Sequence, residues 1–319
     1  MTFWWRTEPP LWSLLLWPLE AGYRAGAALH RLGTRPSRAG VPVISVGNLT
    51  VGGSGKTPVA MHLAARLLAA GRKPAILSRG YGRQSRESML VRADSSASEA
   101  GDEPLLFARR GFMTWVGKSR ARLARRAVEQ GADVLLLDDG LQHHALERDL
   151  DVIVADATNP LGNGALLPRG PLRERPEALR RVRRGLLWLT RCDLPRHPRT
   201  AELLSLGFPS VESAVEARAA DLRGKRVFLF AAIARPERFV ETVLVLGASV
   251  AGERWFRDHH LFTAAELAAL RRDAAGVQLL TTEKDFVRLA DAAGIAQLPI
   301  ELKILRGEDA LEKALREIL

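Results

Sequence analysis

Residues 43–58 read VISVGNLTVGGSGKTP, an apolar run followed directly by a glycine-rich loop. The apolar part, residues 43–46, predicts a short buried strand. From Val59 to Leu68 the apolar residues recur with a helical period, and Gly71 is expected to end that helix. Pro58 fits the first helical turn, where an amide hydrogen is not needed. The sequence therefore predicts a strand, a glycine loop and a helix, in that order.

A glycine loop in this setting is typical of a phosphate-binding P-loop. Loop amides and the helix N-terminus point at phosphate oxygens, and glycines let the backbone approach closely. Lys56 is predicted to neutralise the β- and γ-phosphates, and Thr57 to ligate Mg²⁺. Thr50 stands where such loops usually have their first glycine. The predicted nucleotide-binding residues are Thr50, Val51, Gly52, Gly53, Ser54, Gly55, Lys56 and Thr57.

A second apolar run, residues 134–137, ends in Asp138 and Asp139. Continuous apolar runs are typical of central parallel strands, and ligands bind at their carboxyl ends. One aspartate is therefore predicted to join the Mg²⁺ shell, whereas a simple turn is the alternative for the pair alone. Further apolar runs at residues 74–78, 114–116, 150–155 and 186–190 alternate with helical or loop stretches. This alternation predicts an α/β fold with a mostly parallel sheet.

Length and charge divide the 319-residue chain further. We expect a membrane-associating segment at residues 1–36, a P-loop domain at 37–220 and a smaller α/β domain at 221–319. Residues 221–319 contain 15 basic and 15 acidic residues, so the first 220 carry the whole net charge of +11. An acidic partner, which would be nucleic acid, anionic lipid or a phosphorylated substrate, explains this asymmetry. An arginine-rich composition that serves solubility is the alternative.

Composition excludes two other classes of protein. The hydrophobic fraction of 47% excludes wholesale disorder. Cys192 is the only cysteine, so neither an intramolecular disulfide nor a cysteine zinc cluster is available. A reducing compartment is therefore favoured.

The N-terminal segment is rich in tryptophan, with four of the seven tryptophans in the first 17 residues. Its apolar run, residues 11–19, is shorter than the roughly 20 residues that span a bilayer. A helix over residues 10–32 places the following residues on one stripe: Leu11, Leu14, Leu15, Leu19, Gly22, Tyr23, Gly26 and Leu29. Tryptophan and arginine favour the headgroup layer, which predicts an amphipathic helix on a membrane surface. A first helix packed on the core is the alternative.

A basic cluster lies further along, where residues 169–184 contain seven arginines and no aromatic residue. Without aromatic side chains for base stacking, nucleic acid is not the predicted partner. Anionic lipid headgroups fit better, and a solvated helix face is the alternative.

Across residues 12–289 the chain resembles the tetraacyldisaccharide 4'-kinase (lipid A 4'-kinase) family. Seven motifs carry the resemblance: VGNLTVGGSGKTP at 46–58, SRGYG at 78–82, GDEP at 101–104, DDGLQH at 138–143, GPLRE at 170–174, DHH at 258–260 and TEKD at 282–285. Thr50 agrees with the P-loop of that family. Ala232 departs from it, because the family usually has glycine there.

The resemblance implies transfer of the γ-phosphate of ATP, with Mg²⁺, to the 4'-hydroxyl of an acylated glucosamine disaccharide 1-phosphate. It also implies action at the cytoplasmic face of the Gram-negative inner membrane, as a peripheral or monotopic protein. Taken without the resemblance, the residues leave a membrane-associated P-loop regulatory GTPase or ATPase as the alternative.

The catalytic candidates are Asp102, His259, Asp138, Asp139, Arg79, Tyr81, Arg120 and Arg173, and the candidate metal ligands are Thr57, Asp139 and Glu174. Thr57 and the aspartate pair follow from the sequence pattern, and the resemblance adds the others. His259 is expected to be the base that accepts the hydroxyl proton, with Asp102 fixing its tautomer. The residues alone also allow a surface-loop histidine for His259, a helix N-cap for Asp102, and solvated loop charges for the arginines and Glu174.

Overall fold

The computed structural model describes residues 2–85, 87–217 and 222–319. The contacts divide the chain into two compact units. The first contains the chain up to Ser78, Ser119–Ala214 and Leu302–Leu319, and the second contains Arg79–Lys118 and Val215–Glu301. The predicted domain ranges run continuously along the chain, whereas each unit draws on separate segments. The predicted boundary between residues 220 and 221 lies outside the described residues.

In chain order the strands are β1 Val43–Gly47, β2 Pro74–Ser78, β3 Met89–Val91, β4 Met113–Val116, β5 Val134–Asp138, β6 Leu150–Asp156, β7 Gly185–Thr190, β8 Ser210–Ala217, β9 Arg226–Ala231, β10 Ser249–Trp255, β11 Gln278–Thr282, β12 Ile295–Leu298 and β13 Ile300–Arg306. The α-helices are α1 Trp17–Leu32, α2 Lys56–Ala69, α3 Ala97–Ala100, α4 Asp102–Arg109, α5 Arg120–Glu129, α6 Thr200–Leu204, α7 Pro236–Val245, α8 Ala264–Asp273, α9 Glu283–Phe286 and α10 Glu308–Arg316. Short 3-10 helices cover Thr2–Trp5, Leu11–Leu16 and Pro176–Arg181.

In the first unit the strand order is β13-β8-β7-β6-β1-β5-β2, and the pairs from β8 to β2 are parallel. Central strands β1 and β5 are buried along their whole length, as their apolar runs predict. They pair in register, with Val46 opposite Asp138. The glycine loop and the two aspartates therefore leave the sheet at the same edge. The predicted α/β fold with a mostly parallel sheet is confirmed.

The first two helices of this unit present their apolar residues differently. In α2, Val59, Leu63 and Leu67 are buried, so the helical period of this segment marks a core face. The predicted N-terminal helix is a 3-10 helix followed by α1, and most of its leucine stripe is exposed. None of the described helices is both long and apolar enough to cross a membrane.

The second unit contains a parallel sheet with strand order β10-β9-β11-β12. One apolar cluster combines β9 residues with Phe239 and Val243 of α7, and another combines Phe230 with Leu267 and Leu270 of α8. Helix α4 and the antiparallel pair β3 and β4 belong to the same unit. Its β9–α7 and α8–β11 segments confirm the predicted elements of the C-terminal part.

Candidate functional site

The glycine loop of the first unit has the backbone that a P-loop needs. Gly52 and Gly55 have φ angles of 102° and 87°, in the left-handed region that favours glycine. A Cβ on Gly55 would lie 3.2 Å from Thr190 Cγ2, so a larger residue would also be crowded. Lys56 begins α2 directly after Gly55, which puts the helix N-terminus at the loop.

The side chains of the loop are held by Asn48, which is almost completely buried. Its amide donates to Ser54 Oγ at 2.8 Å and to Thr50 Oγ1 at 3.2 Å, and its carbonyl accepts from Lys56 Nζ at 2.8 Å. Thr50 is therefore a partner within the loop, although it replaces a glycine. Sequence reasoning did not single out Asn48, because its role depends on contacts that the loop makes only when folded.

Asp139 lies beside two cations. Lys56 Nζ is 3.3 Å from its Oδ1, and Arg173 Nη1 is 2.7 Å from its Oδ2. Burial raises the pKa of Asp139, but the charges of Lys56 and Arg173 outweigh burial and hold the pKa well below its usual value. Arg173 also donates to Gln142 Oε1 at 3.1 Å. The result is an ionised carboxylate within a centre that carries more positive than negative charge.

Asp138 and Arg120 meet at the end of β5. Ser78 Oγ donates to Asp138 Oδ2 at 2.8 Å, and Arg120 Nη2 donates to the Asp138 carbonyl at 3.3 Å. Both residues are buried. Arg120 is thus not the solvated loop charge that was the alternative.

Thr57 and Glu174 are the other two predicted metal ligands. Thr57 is the second residue of α2 and is partly buried, whereas Glu174 forms an ion pair with Arg181 at 2.7 Å. In the part of the chain that the structure describes, no three His, Cys, Asp or Glu side chains form a metal-binding group. One hydroxyl and one or two carboxylates still fit Mg²⁺ in a nucleotide site, where phosphates and waters complete the coordination.

The second unit brings Asp102 and His259 together, although they are 157 residues apart in the sequence. His259 Nδ1 lies 2.9 Å from Asp102 Oδ2. Asp102 is the first residue of α4, and Gly101 occupies the N-cap, so the N-cap alternative for Asp102 is wrong. His259 lies in the turn between β10 and α8 and is partly buried, so it is a loop histidine with a carboxylate partner.

The surroundings of Asp102 define the tautomer of His259. Burial raises the pKa of Asp102, but the hydrogen bond to His259 and the charges of Lys284 and Arg288 outweigh burial and lower the pKa to about 2. Asp102 is therefore ionised at neutral pH and can only accept hydrogen bonds. Nδ1 of His259 must then carry the proton, which leaves the lone pair on Nε2 for proton transfer.

Arg79 and Tyr81 lie in the same unit as this pair. The Tyr81 ring centroid is 5.0 Å from that of His259, and both Tyr81 and Arg79 are exposed. Between them, Gly80 has a φ of 68° and packs against Gly101, where a Cβ would lie 3.1 Å from Gly80 Cα. These glycines let the loop with Arg79 and Tyr81 approach the start of α4.

Lys284 and Arg288 were not predicted as individual site residues. Lys284 Nζ is 3.1 Å from Glu103 Oε1 and 3.8 Å from Asp102 Oδ2, and Arg288 Nε is also 3.8 Å from that oxygen. Lys284 stands in the TEKD motif, which was a signal that it matters. Arg288 follows the motif and carries no local signal.

The fold of the first unit and its Gly-Lys-Thr loop define a P-loop protein. An ionised aspartate that orients a histidine is typical of an enzyme that transfers protons.

Comparison with known proteins agrees. A family model described as Tetraacyldisaccharide-1-P 4'-kinase matches residues 12–319. Tetraacyldisaccharide 4'-kinases from Anaeromyxobacter dehalogenans (strain 2CP-C) and Methylobacterium sp. (strain 4-46) are 49% and 42% identical, covering 98% of this chain and 93% and 95% of theirs. A crystal structure of LpxK from Aquifex aeolicus in complex with ATP superposes with a TM-score of 0.76, at 29% identity over 97% of this chain and 99% of that one.

The chain belongs to the tetraacyldisaccharide 4'-kinase family and is a phosphotransferase. The resemblance seen in the sequence motifs is thereby confirmed.

Proposed function

We propose that this protein transfers the γ-phosphate of ATP to the 4'-hydroxyl of a tetraacylated glucosamine disaccharide 1-phosphate at a membrane surface. The observation that carries the proposal is the 2.9 Å contact between His259 and Asp102. An alcohol acceptor must lose a proton when it attacks phosphorus, and this pair supplies a base for it. The family membership and the ATP complex of the Aquifex aeolicus relative support the same reaction.

The first unit binds the donor in this proposal. Amides of residues 52–57 and the N-terminus of α2 face the phosphates, and Lys56 neutralises their charge, whereas the Val51 amide donates to the Pro171 carbonyl at 2.8 Å. Thr57 and Asp139 would hold Mg²⁺, with Glu174 as a further candidate ligand, and the ion would neutralise phosphate charge. Arg173 then binds phosphate oxygens, because its guanidinium already lies beside Asp139.

The second unit supplies the proton acceptor. His259 Nε2 takes the proton of the 4'-hydroxyl as its oxygen bonds to the γ-phosphorus, and the bond to the β–γ bridging oxygen breaks to release ADP. Asp102 stays ionised and stabilises the imidazolium. We assign Tyr81 and Arg79 to positioning the acceptor, and Arg120 to holding the end of β5 through Asp138.

The N-terminal segment is proposed to lie on the membrane. Leu15, Leu19 and Leu29 are 84%, 61% and 70% exposed, so the leucine stripe faces away from the protein core. The segment is nevertheless anchored at its base, where Arg169 pairs with the buried Glu20 at 3.1 Å. An anchored helix with exposed leucines and nearby arginines is typical of an interfacial helix. We place the protein on the cytoplasmic face of the Gram-negative inner membrane, with no nucleic acid partner.

Acceptor-dependent turnover tests the proposal. ATP consumption is measured in detergent micelles with and without the disaccharide 1-phosphate. The kinase requires consumption that depends on the acceptor, with one ADP formed per phosphorylated lipid. A regulatory GTPase or ATPase would instead hydrolyse nucleotide without the lipid, or prefer GTP, and that outcome would contradict the proposal.

A further inference from the structure

His259 has a backbone conformation that a histidine rarely adopts. Its φ angle is 61°, in the left-handed region, where non-glycine residues persist only if their surroundings hold them. The histidine stands in the turn 258–260 between β10 and α8. Something outside the turn must therefore fix its conformation.

The first support is the backbone of Ala232, the residue that directly follows β9. His259 N donates to the Ala232 carbonyl at 3.2 Å. Arg288 Nη2 donates to the same carbonyl at 3.0 Å, and Asp285 Oδ2 accepts from Ala232 N at 3.1 Å. The side chains of Asp285 and Arg288 also bond to each other. They thus hold both backbone polar groups of Ala232, the residue whose carbonyl accepts from His259.

The second support acts on the other side of His259. Arg288 Nη1 donates to the His260 carbonyl at 3.1 Å. One planar guanidinium therefore links the Ala232 carbonyl, which accepts from His259, to the carbonyl of His260, the next residue in the chain. Lysine would not reproduce this fork, because its three donors all sit on one nitrogen at the end of a flexible stem.

The pair is also close to the carboxylate of the dyad. Arg288 Nε lies 3.8 Å from Asp102 Oδ2, the oxygen that faces His259 Nδ1. The side chains of Asp285 and Arg288 are 0% and 2% exposed. A buried cation this close to the dyad carboxylate is expensive to desolvate unless it is paired, and Asp285 provides the pairing.

We infer that the buried Asp285–Arg288 pair is a positioning element that holds His259 in its left-handed turn, with Nδ1 directed at Asp102. The inference rests on the proposed role of His259 as the base. It assigns a role to two residues that do not themselves touch the acceptor. It also explains why the aspartate of the TEKD motif, Asp285, is buried.

Arg288→Lys tests this role with the charge retained. We expect kcat to fall about 10- to 100-fold, as is typical when the support of a catalytic group is lost. The KM for ATP should stay within about twofold, because the nucleotide loop is in the other unit. Arg110→Lys is the matched control. Arg110 binds Glu283 at 2.6 Å and 2.8 Å in the same unit, and it does not touch the turn, so kcat should be unchanged.

NMR of His259 in the lipid-free protein separates this inference from the proposed function. In Arg288→Lys the imidazole ¹⁵N chemical shifts of His259 should no longer be those of the Nδ1–H tautomer. In Arg110→Lys they should equal the wild-type shifts. Unchanged His259 signals and unchanged kcat in a folded Arg288→Lys would overturn the inference, even if His259→Ala is inactive. Full activity of His259→Ala would instead contradict the proposed role of His259 as the base. The NMR result would still decide whether Asp285 and Arg288 position His259.

The wild type offers a measurement that does not depend on a variant folding. The Arg288 guanidinium protons should exchange with solvent far more slowly than those of the exposed Arg92. Equal exchange rates would show that the two carbonyl contacts are not maintained, and would overturn the inference.

Discussion

The two units each keep an aspartate ionised with neighbouring cations, but the partners differ in kind. Asp139 in the first unit faces the ammonium of Lys56 and the guanidinium of Arg173. Asp102 in the second unit also has Lys284 and Arg288 at 3.8 Å, but its hydrogen-bond partner is His259, whose imidazole can take up a proton during a reaction. A carboxylate among fixed cations suits phosphate and metal binding, whereas a carboxylate beside an imidazole suits proton transfer. The group that pairs with the carboxylate therefore decides whether the site suits phosphate binding or proton transfer.

The largest expected effect concerns the second unit. His259→Ala and Asp102→Ala should each lower kcat by about 10³-fold, because the base or its orientation is lost. The double variant should be hardly worse than either single variant, since the two residues act together. ATP binding, measured by calorimetry, should be unchanged. If the two losses of kcat multiplied in the double variant, the claim that His259 and Asp102 act as one dyad would be contradicted.

Lys56→Met probes the first unit and should lower kcat/KM for ATP by about 10²-fold, because one donor to the transferring phosphate is removed. In contrast to His259→Ala, this variant should also weaken ATP binding. Lys73→Met, at an exposed lysine of the same unit, is the control. If Lys56→Met bound ATP as tightly as the wild type, the claim that the first unit binds the nucleotide through Lys56 would be contradicted.

The pKa of Asp102 predicts a pH dependence of stability. Its folded pKa of about 2 lies below the ordinary 3.8, so its ionised form stabilises the fold above pH of about 4. That contribution, about 2 kcal/mol, is lost as the pH falls through the folded value. Urea unfolding of the wild type and Asp102→Asn should therefore differ at pH 6 and converge towards pH 2. A constant difference would show that the charge of Asp102 does not stabilise the fold.

The smallest expected effect on the chemistry is at the N-terminus. Combined Leu15→Ser, Leu19→Ser and Leu29→Ser should weaken binding to anionic vesicles about tenfold or more, because exposed apolar area is removed. Turnover of acceptor in micelles and the Tm should change little. Leu68→Ser, at an exposed leucine of α2, is the control. Vesicle sedimentation equal to the wild type would contradict the membrane role of this segment.

Local sequence predicted the first unit well for a physical reason. Strands β1, β2, β5, β6 and β7 are buried along nearly their whole length, and each contains an apolar run that marks it. Strands β8, β10, β12 and β13 were missed, because polar residues interrupt each of them and none is a continuous apolar run. The amphipathic period of α1 and α2 is similar, and only tertiary packing shows which apolar face is covered.

The second candidate centre was predictable only by resemblance. No spacing rule relates Asp102 to His259, because the contact depends on how α4 and the turn 258–260 fold together. The roles of Asn48 and Arg288 were not predicted, since both depend on burial that the local sequence does not reveal. Glycine positions were the exception: Gly52 and Gly55 in the loop adopt the left-handed backbone that the motif implies.

The central claim is that the P-loop binds ATP and that His259 deprotonates a sugar hydroxyl. Mass spectrometry of the lipid after incubation with ATP tests it most directly, with the 4'-deoxy disaccharide 1-phosphate and His259→Ala as parallel samples. We predict one added phosphate on the natural acceptor, and none on the 4'-deoxy lipid. Only a trace of product should form with His259→Ala. Phosphorylation of the 4'-deoxy lipid, or full product from His259→Ala, would contradict the account.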